Sequence, residues 1–218
     1  MDELAHLFIK GMQNTTWYEY VGVFAGIASV WFSRKEHILV YPVGLINTII
    51  FIYISYKYHL LGEASVNFYY TIMSIYGWWL WTRKDAIKHE TILHISFSNS
   101  KEWIQQWAFF TIIFIVYFTA LSIAKNYFFE GVIPAADAFA TATAFTGMWL
   151  MAKKKVESWY WWIATNLVSI PLYFAKTLVF TSVQYVVLLI MAIAGLIAWK
   201  NKVKKKNYFE STAQNCTT

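Results

Sequence analysis

The stretch WYWWIATN, which runs from Trp159 to Asn166, places two indoles and an amide on one side of an apolar segment. Trp159, Trp162 and Asn166 are three and four residues apart, so on a helix they fall within about 60° of one another. Tyr173 lies on the same side, and Trp161 points the opposite way. Such a stripe predicts a slot for a flat heteroaromatic ring with a polar substituent, in which each stacked pair of rings contributes about 0.5–1.5 kcal/mol.

These side chains also have ordinary structural explanations. Tryptophans collect at the membrane–water interface, which suits Trp159 because it lies about one turn from Lys155. An interhelical hydrogen bond would account for the amide of Asn166, since an amide inside a membrane needs a partner. The residues by themselves leave these alternatives open.

Polar and aromatic side chains in other segments could complete a binding site. Asn67, Tyr70 and Trp78 share one face of an earlier helix by the same spacing, and Asn47 and Gln184 lie in two further apolar segments. Each of them alone is explained as readily by packing. The candidate binding residues are therefore Trp159, Trp162, Asn166, Asn47, Asn67, Tyr70, Trp78, Tyr173 and Gln184.

The elements that must position these residues are membrane-spanning helices. The chain is 58% hydrophobic and 20% aromatic, and its apolar runs recur too often for one soluble core. A span needs about 20 mainly apolar residues to cross a hydrocarbon layer of about 30 Å. Seven segments qualify: 18–33, 38–56, 64–82, 103–124, 133–152, 158–175 and 179–199. The sequence thus predicts an all-α integral membrane protein with seven transmembrane helices.

The positive charges predict the orientation in the membrane. Fourteen of the 18 Lys and Arg residues fall on one side of the predicted spans. The other side receives only Lys10, Lys57, Lys125 and Lys176. This asymmetry places the N-terminus outside and the C-terminus in the cytoplasm. The tail KNKVKKK then acts as a topology anchor near anionic lipid rather than as a nucleic-acid site.

The chain nearly repeats itself at a shift of 118 to 119 residues. The six matches are Glu19 with Asp137, Trp31 with Trp149, Lys35 with Lys153, Asn47 with Asn166, Gly77 with Gly195 and Trp81 with Trp199. If the first three and the last three helices are repeats, helix 4 lets the second repeat enter the membrane in the same direction as the first. The predicted architecture is therefore 3 + 1 + 3 with parallel repeats, and substrate sites in such transporters lie near the midplane between the repeats.

This architecture divides the chain into five segments. They are an extracytoplasmic N-terminal segment at 1–17, a first repeat at 18–82, a linker with helix 4 at 83–132, a second repeat at 133–199 and a basic cytoplasmic tail at 200–218. The first segment lacks the pattern of a cleaved secretory signal. The single cysteine, Cys216, lies in the tail and offers neither a disulfide framework nor a cysteine metal site.

Other chemistries find little support in the sequence. The five histidines lie outside the predicted spans without metal-ligand spacing, and the common catalytic motifs are absent. Glu19 and Asp137 lie near the outer ends of their helices, so no obvious mid-membrane carboxylate exists for coupling to a proton or sodium gradient. A retinal protein needs a lysine in helix 7, and residues 177–199 contain none. We predict no enzyme, no metal and no cofactor.

The chain resembles the PnuC family of vitamin transporters. The pattern Trp159-x-x-Trp162-x-x-x-Asn166 is similar to the Trp-x-x-Trp-x-x-x-Asn motif of that family. The resemblance covers nearly the whole chain and includes ILVYPVGLINTIIFIYISY, NFYYTIMSIYGWWLWTRK and the closing GLIAW. The arrangement of parallel repeats also matches the family, which resembles the SWEET sugar transporters.

The resemblance implies facilitated diffusion of nicotinamide riboside across the inner membrane by alternating access, with trapping by a cytoplasmic kinase. It also implies that Trp159 and Trp162 flank the ring of the substrate and that Asn166 hydrogen-bonds it. Thiamine and riboflavin remain alternatives within the family, and a homo-oligomer is compatible with it. From another class, a non-transporting receptor or scaffold is disfavoured because it has no need of paired repeats around a central site.

Overall fold

The computed structural model describes residues 8–9, 12–13, 15–57, 61–84, 92–127 and 133–215. Seven long helices follow one another in these residues: α1 (Trp17–Lys35), α2 (Val40–Lys57), α3 (Leu61–Thr82), α4 (Ser100–Tyr127), α5 (Pro134–Ala152), α6 (Ser158–Ala175) and α7 (Val179–Asn215). Each predicted span coincides with one of them. Most of the predicted N-terminal segment, together with Cys216, lies outside the described residues.

The seven helices differ in how apolar they are. The segments Val40–Lys57, Ser100–Lys125 and Val179–Tyr208 are long and apolar enough by composition alone to cross a membrane. The other four helices have 18 to 22 residues, which at 1.5 Å per residue gives about 27–33 Å. These four include α3, α5 and α6, which carry most of the candidate site.

Six of the helices close into a ring. α2 packs between α1 and α3, and α6 packs between α5 and α7. Contacts of α3 with α5 and of α7 with α1 join the two halves, so that the ring runs α1, α2, α3, α5, α6, α7. α4 lies outside the ring and packs against α5. The predicted 3 + 1 + 3 arrangement is therefore confirmed.

The two ends of this ring differ in charge. We call one end the basic end; it contains the loops at 36–39 and 153–157 and the stretch of α7 at 200–206. We call the opposite end, where α1, α3 and α5 begin, the far end. α7 continues past its predicted limit because its basic stretch remains helical. In this stretch, the ammonium group of Lys202 forms an ion pair with the carboxylate of Glu36 at 3.0 Å.

The repeats are visible as matching contacts at both ends. At the far end, the carboxylates of Glu19 and Asp137 each accept a hydrogen bond from the backbone N–H that precedes the helix, on Thr16 at 2.7 Å and on Ile133 at 2.9 Å. Both carboxylates therefore cap the first helix of their repeat. A negative charge at a helix N-terminus is also favoured by the helix dipole.

A second pair of matching contacts lies towards the basic end. The ammonium group of Lys35 lies 4.9 Å from the ring centre of Trp31, and that of Lys153 lies 4.2 Å from the ring centre of Trp149. Each is a cation–π contact at the end of the first helix of a repeat. The predicted pairs of tryptophans and of lysines therefore perform the same structural role in both repeats.

The matching glycines allow an aromatic ring to pack directly on a helix backbone. The ring of Tyr41 lies against Gly77, and the ring of Trp159 lies against Gly195. A Cβ at either glycine would overlap the ring that faces it. Tyr41 and Trp159 thus correspond at a shift of 118 residues, an equivalence that the difference in residue type conceals.

This equivalence corrects one of the predicted pairs. Since Tyr41 and Trp159 set the shift between α2 and α6 at 118, Asn166 corresponds to Thr48, and Asn47 corresponds to Thr165. The pairing of Asn47 with Asn166 requires a shift of 119 and is therefore wrong by one residue. One residue is about 100° on a helix, so the two asparagines lie on different faces of their helices.

Two tryptophans join the halves of the ring at the basic end. The indole N–H of Trp81 donates to the carbonyl of Ala152, and that of Trp199 donates to the carbonyl of Ser33, both at 3.1 Å. Each repeat thus donates one buried hydrogen bond to the end of the first helix of the other repeat. The exchange is what a two-fold relation between parallel repeats requires.

The basic end is closed on the two-fold axis itself. Three pairs of residues that correspond at a shift of 118 touch each other: Ser33 with Met151, Glu36 with Lys154, and Trp81 with Trp199. The first two contacts measure 2.8 Å each, and the indole centres are 6.4 Å apart. Residues related by a two-fold axis can meet only at that axis. The described residues therefore close the central space along the axis at the basic end.

Candidate functional site

The candidate site lies on the inner face of α6. Trp162 packs beside Gly147 of α5, where a Cβ would lie 3.3 Å from the indole. The ring of Tyr70 on α3 also lies near this indole, with ring centres 6.0 Å apart and planes tilted by 52°. Tyr70 in turn lies 6.3 Å from the ring of Phe145 on α5. Rings from α3, α5 and α6, and therefore from both repeats, thus cluster around Tyr70.

Asn166 is the buried polar group of this site. Its exposed fraction is 3%, and its amide makes no hydrogen bond within the described residues. The preceding residue, Thr165, does have hydrogen-bond partners. Its hydroxyl lies 2.9 Å from the hydroxyl of Thr143 on α5 and 2.9 Å from the carbonyl oxygen of Trp161. Asn166 is therefore a polar group that a ligand would satisfy.

A pair of tyrosines continues the stripe towards the far end. Tyr173 of α6 stacks on Tyr185 of α7, with ring centres 5.1 Å apart and planes within 18°. The hydroxyl of Tyr185 interacts with the side chains of Tyr173 and Ser169. Gln184 is half-buried and makes no side-chain hydrogen bond among the described residues. The site thus offers aromatic faces, hydroxyl groups and amides, with no charged group among them.

The rotation of α6 about its own axis is set by Trp161. Its indole N–H donates to the side-chain oxygen of Gln106 on α4 at 3.1 Å, and its ring packs 5.2 Å from the rings of Trp107 and Phe110. Gln106 also donates to the hydroxyl of Ser98 at 2.8 Å. Trp161 therefore faces away from the candidate site, as the helical spacing predicts. Because Trp161 is held against α4, the opposite face of α6, which carries Trp162 and Asn166, is directed into the ring of helices.

The structure brings only some of the predicted site residues together. Tyr70, Trp162, Asn166 and Tyr173 meet around the inner face of α6. Gln184 lies 11 residues, or about three helical turns, from the glycine that contacts α6, so it shares that face of α7.

The remaining candidates have different surroundings. Trp159 is 1% exposed, packs edge-on against Trp199 with ring centres 5.5 Å apart, and belongs to the hydrophobic core of the basic end. The amide of Asn47 donates to the carbonyl of Gly22 on α1 at 2.7 Å. That of Asn67 donates to a carbonyl of its own helix at 2.9 Å. Trp78 is 40% exposed.

Sequence reasoning did not select Tyr185, Ser169 or Glu63 as site residues. Ser169 follows Asn166 by three residues and could have been selected by spacing alone. Tyr185 and Glu63 carry no such signal, because their importance depends on which helices face each other across the ring. Tyr185 and Ser169 lie close to each other, and Glu63 precedes Tyr70 by seven residues on the same face of α3.

Charged groups lie at the two ends of the ring. At the far end, Lys176 pairs with Asp137 at 2.7 Å. At the basic end, burial raises the pKa of the Glu36 carboxyl, but the hydrogen bonds and charges of Lys154 and Lys202 outweigh burial, so that this pKa lies below its ordinary value. Within the described part of the chain, no group of three or more His, Cys, Asp or Glu residues could hold a metal ion.

A ring of two parallel three-helix repeats around an aromatic and amide-lined stripe is the architecture of a multi-pass membrane transporter. Comparison with known families agrees and is more specific. The family described as nicotinamide mononucleotide transporter matches residues 16–201. The chain belongs to this family, and it is a multi-pass protein of the cell membrane.

Individual relatives share most of the length of the chain. The nicotinamide riboside transporter PnuC of Escherichia coli (strain K12) is 24% identical over 93% of both chains. The riboflavin/roseoflavin transporter RibM of Streptomyces davaonensis is 22% identical over 88% of both chains. The crystal structure of the vitamin B3 transporter PnuC matches the fold with a TM-score of 0.66 at 22% identity, covering 93% of this chain and 88% of that one.

Proposed function

We propose that this protein takes up nicotinamide riboside by facilitated diffusion and is not an enzyme. The observation that carries the proposal is the amide of Asn166, which is buried at 3% exposure, has no partner among the described residues and lies one turn from the indole of Trp162. Nicotinamide is a flat ring that bears a carboxamide. Such a ring fits beside an indole, and its carboxamide can exchange hydrogen bonds with an asparagine side chain.

The ribose would occupy the stretch of the stripe that leads towards the far end. Tyr173 and Tyr185 present two hydroxyl groups there, and Gln184 presents an amide. Neutral hydroxyl and amide groups suit the hydroxyl groups of a sugar, because each can act as a donor and as an acceptor. The substrate would thus lie along α6, with its base near Trp162 and its sugar near the tyrosines.

Transport would proceed by alternating access. The excess of Lys and Arg predicts that the basic end faces the cytoplasm, and that end is closed in this structure by the three contacts on the two-fold axis. Release into the cytoplasm therefore requires these contacts to separate. Since each contact joins the two repeats, a rocking of one repeat against the other would open all three together.

The distribution of carboxylates supports transport without ion coupling. Ion-driven carriers use an ionisable group inside the membrane. In the described spans, Glu19, Glu63 and Asp137 are all within the first turn of their helices at the far end. Uptake would then follow the concentration gradient, and phosphorylation by a cytoplasmic kinase would maintain that gradient by trapping the product.

Riboflavin is the second candidate substrate. The similarity to the riboflavin/roseoflavin transporter RibM favours it, and its flat ring also fits an aromatic slot. Its ring system has three fused rings and needs more space beside Trp162 than a single pyridine ring does. Thiamine and a non-transporting scaffold are weaker alternatives that the same experiment addresses.

The experiment is uptake into proteoliposomes. Purified protein is reconstituted without ion gradients, and the entry of radiolabelled nicotinamide riboside, riboflavin and thiamine is followed against protein-free liposomes. We expect saturable entry of nicotinamide riboside that stops at equal internal and external concentrations. Entry of riboflavin alone would reassign the substrate. Accumulation above equilibrium on adding a proton or sodium gradient at zero membrane potential would refute facilitated diffusion, and no flux of any vitamin would refute the carrier.

A further inference from the structure

The far end of the ring contains a carboxylate that has no ion-pair partner among the described residues. Glu63 lies in the first turn of α3 and is exposed. Within the same part of the chain, its side chain also forms no hydrogen bond. Lys176 also lies at the far end, but its ammonium group pairs with Asp137 at 2.7 Å. When all three groups are ionised, they carry a net charge of −1 at this end of the ring.

This carboxylate lies on the side of α3 that faces the candidate site. Tyr70 follows Glu63 by seven residues, or about two helical turns, so both project from the same face of α3. The ring of Tyr70 lies 6.0 Å from the ring of Trp162 on α6. The face of α3 that carries Glu63 is therefore directed towards α6, and Glu63 lies on it at the far end.

The rest of the site is neutral. Asn166, whose buried amide has no partner among the described residues, lies about two turns from the tyrosine stack on the same stripe of α6. Its amide is available to hydrogen-bond a polar molecule bound beside α6. A positively charged molecule in that space would meet aromatic faces, which favour cations, and one uncompensated negative charge at the entrance.

We propose that Glu63 selects the charge of the transported molecule, so that the site prefers a cationic heteroaromatic ring to a neutral ring of the same shape. The inference rests on the proposed function and deepens it. Nicotinamide riboside is a pyridinium cation, whereas its 1,4-dihydro form has nearly the same shape and is neutral. The two compounds therefore differ mainly in charge, which is the property that Glu63 would distinguish.

The experiment compares both compounds by isothermal titration calorimetry on the purified full chain. The variants are Glu63→Gln, which removes the charge at nearly constant shape, and Glu63→Asp, which keeps it. The matched control is Glu102→Gln, a carboxylate at the basic end that pairs with Lys155 at 2.8 Å. Each titration is repeated at low and high salt, because a solvent-exposed charge is screened by salt.

We expect Glu63→Gln to weaken binding of the cation about five-fold, as one carboxylate several ångströms away in a partly hydrated entrance would. Binding of the dihydro form should stay unchanged, and Glu63→Asp should restore most of the preference. The salt dependence of cation binding should also become weaker in Glu63→Gln, while Glu102→Gln resembles the wild type.

Two results would overturn the inference. Equal losses for both compounds would mean that Glu63 acts through the shape of the entrance, and no loss for either would mean that it is uninvolved. Both outcomes leave the proposed function intact as long as the wild type binds nicotinamide riboside. Failure of the wild type to bind either compound would instead refute the proposed substrate.

Discussion

The two asparagines of α2 and α6 provide the sharpest test of the site. Asn166 is buried without a partner among the described residues, whereas Asn47 donates to the carbonyl of Gly22 on the neighbouring helix. Leucine has nearly the same size as asparagine and removes the amide without leaving a cavity. We therefore expect Asn166→Leu to remove vitamin binding with little change in stability, and Asn47→Leu to lower stability with little change in binding.

The expected magnitudes follow from these hydrogen bonds. In Asn166→Leu, a polar group of the bound substrate is left unpaired, which costs about 1–3 kcal/mol and corresponds to a Kd about 5- to 150-fold higher. Loss of the bond between α1 and α2 in Asn47→Leu lowers the free energy of unfolding by about 1 kcal/mol. Without vitamin, the free energy of unfolding of Asn166→Leu should match that of the wild type, because removing the amide breaks no hydrogen bond within the described residues.

The assay measures both quantities on the same purified samples. Binding of nicotinamide riboside is followed by calorimetry, and stability is followed by thermal unfolding in detergent without the vitamin. The decisive feature is the crossed pattern, because a general loss of folding would lower both quantities in both variants. Wild-type binding by Asn166→Leu would refute the assignment of the site to α6. Equal loss of binding in a stable Asn47→Leu protein would show that the vitamin contacts both helices.

Three further outcomes test the basic end. Gly77→Ala and Gly195→Ala each force a Cβ into an aromatic ring, and overpacking of this kind lowers the free energy of unfolding by about 1–3 kcal/mol. An unchanged midpoint of thermal unfolding in either variant would contradict the packing. Trp81→Phe and Trp199→Phe each remove one indole hydrogen bond between the repeats, so hydrogen–deuterium exchange in the loops of the basic end should become faster, to a similar extent in both. In the folded protein, the pKa of the Glu36 carboxyl is lowered. Its ion pairs therefore contribute fully to the free energy of unfolding above the unfolded carboxyl pKa of about 4.3. This contribution is lost as the pH falls through the still lower pKa of the folded state. Acid should therefore destabilise the wild type more than Glu36→Gln in thermal unfolding, and equal acid responses would show that the pairs contribute nothing.

The amino-acid sequence by itself determined the helices and their repetition. Hydrophobic runs of 16 to 22 residues sufficed to locate all seven helices, because a membrane admits few other structures for an apolar chain of this length. The repeat was recognisable because several of its members, such as Gly77 with Gly195 and Trp81 with Trp199, kept both their type and their spacing. Helical periodicity also placed Trp162 and Asn166 on one face of α6 and Trp161 on the other.

Only the tertiary structure decided which of these faces form a site. Periodicity gives the direction of a side chain on its own helix, but what it meets depends on how neighbouring helices are rotated and shifted. Trp159 lies on the same stripe as Trp162 but one turn nearer the basic end. There its ring packs directly on the backbone of α7 at Gly195. The difference between Asn47 and Asn166 has the same origin, since a shift of one residue in the repeat turns the first amide onto a neighbouring helix and leaves the second without a partner among the described residues.

The closed basic end and the charged entrance also depend on distances that no sequence pattern records. Glu36 and Lys154 are 118 residues apart and meet at 2.8 Å only because the two-fold axis brings equivalent loops together. Glu63 lies in an ordinary helix start, and only the packing of Tyr70 against Trp162 directs the face of α3 that carries both residues towards α6. Local sequence thus determines the elements of this protein, whereas the contacts between elements, on which recognition and gating depend, are determined by the way the six helices close into a ring.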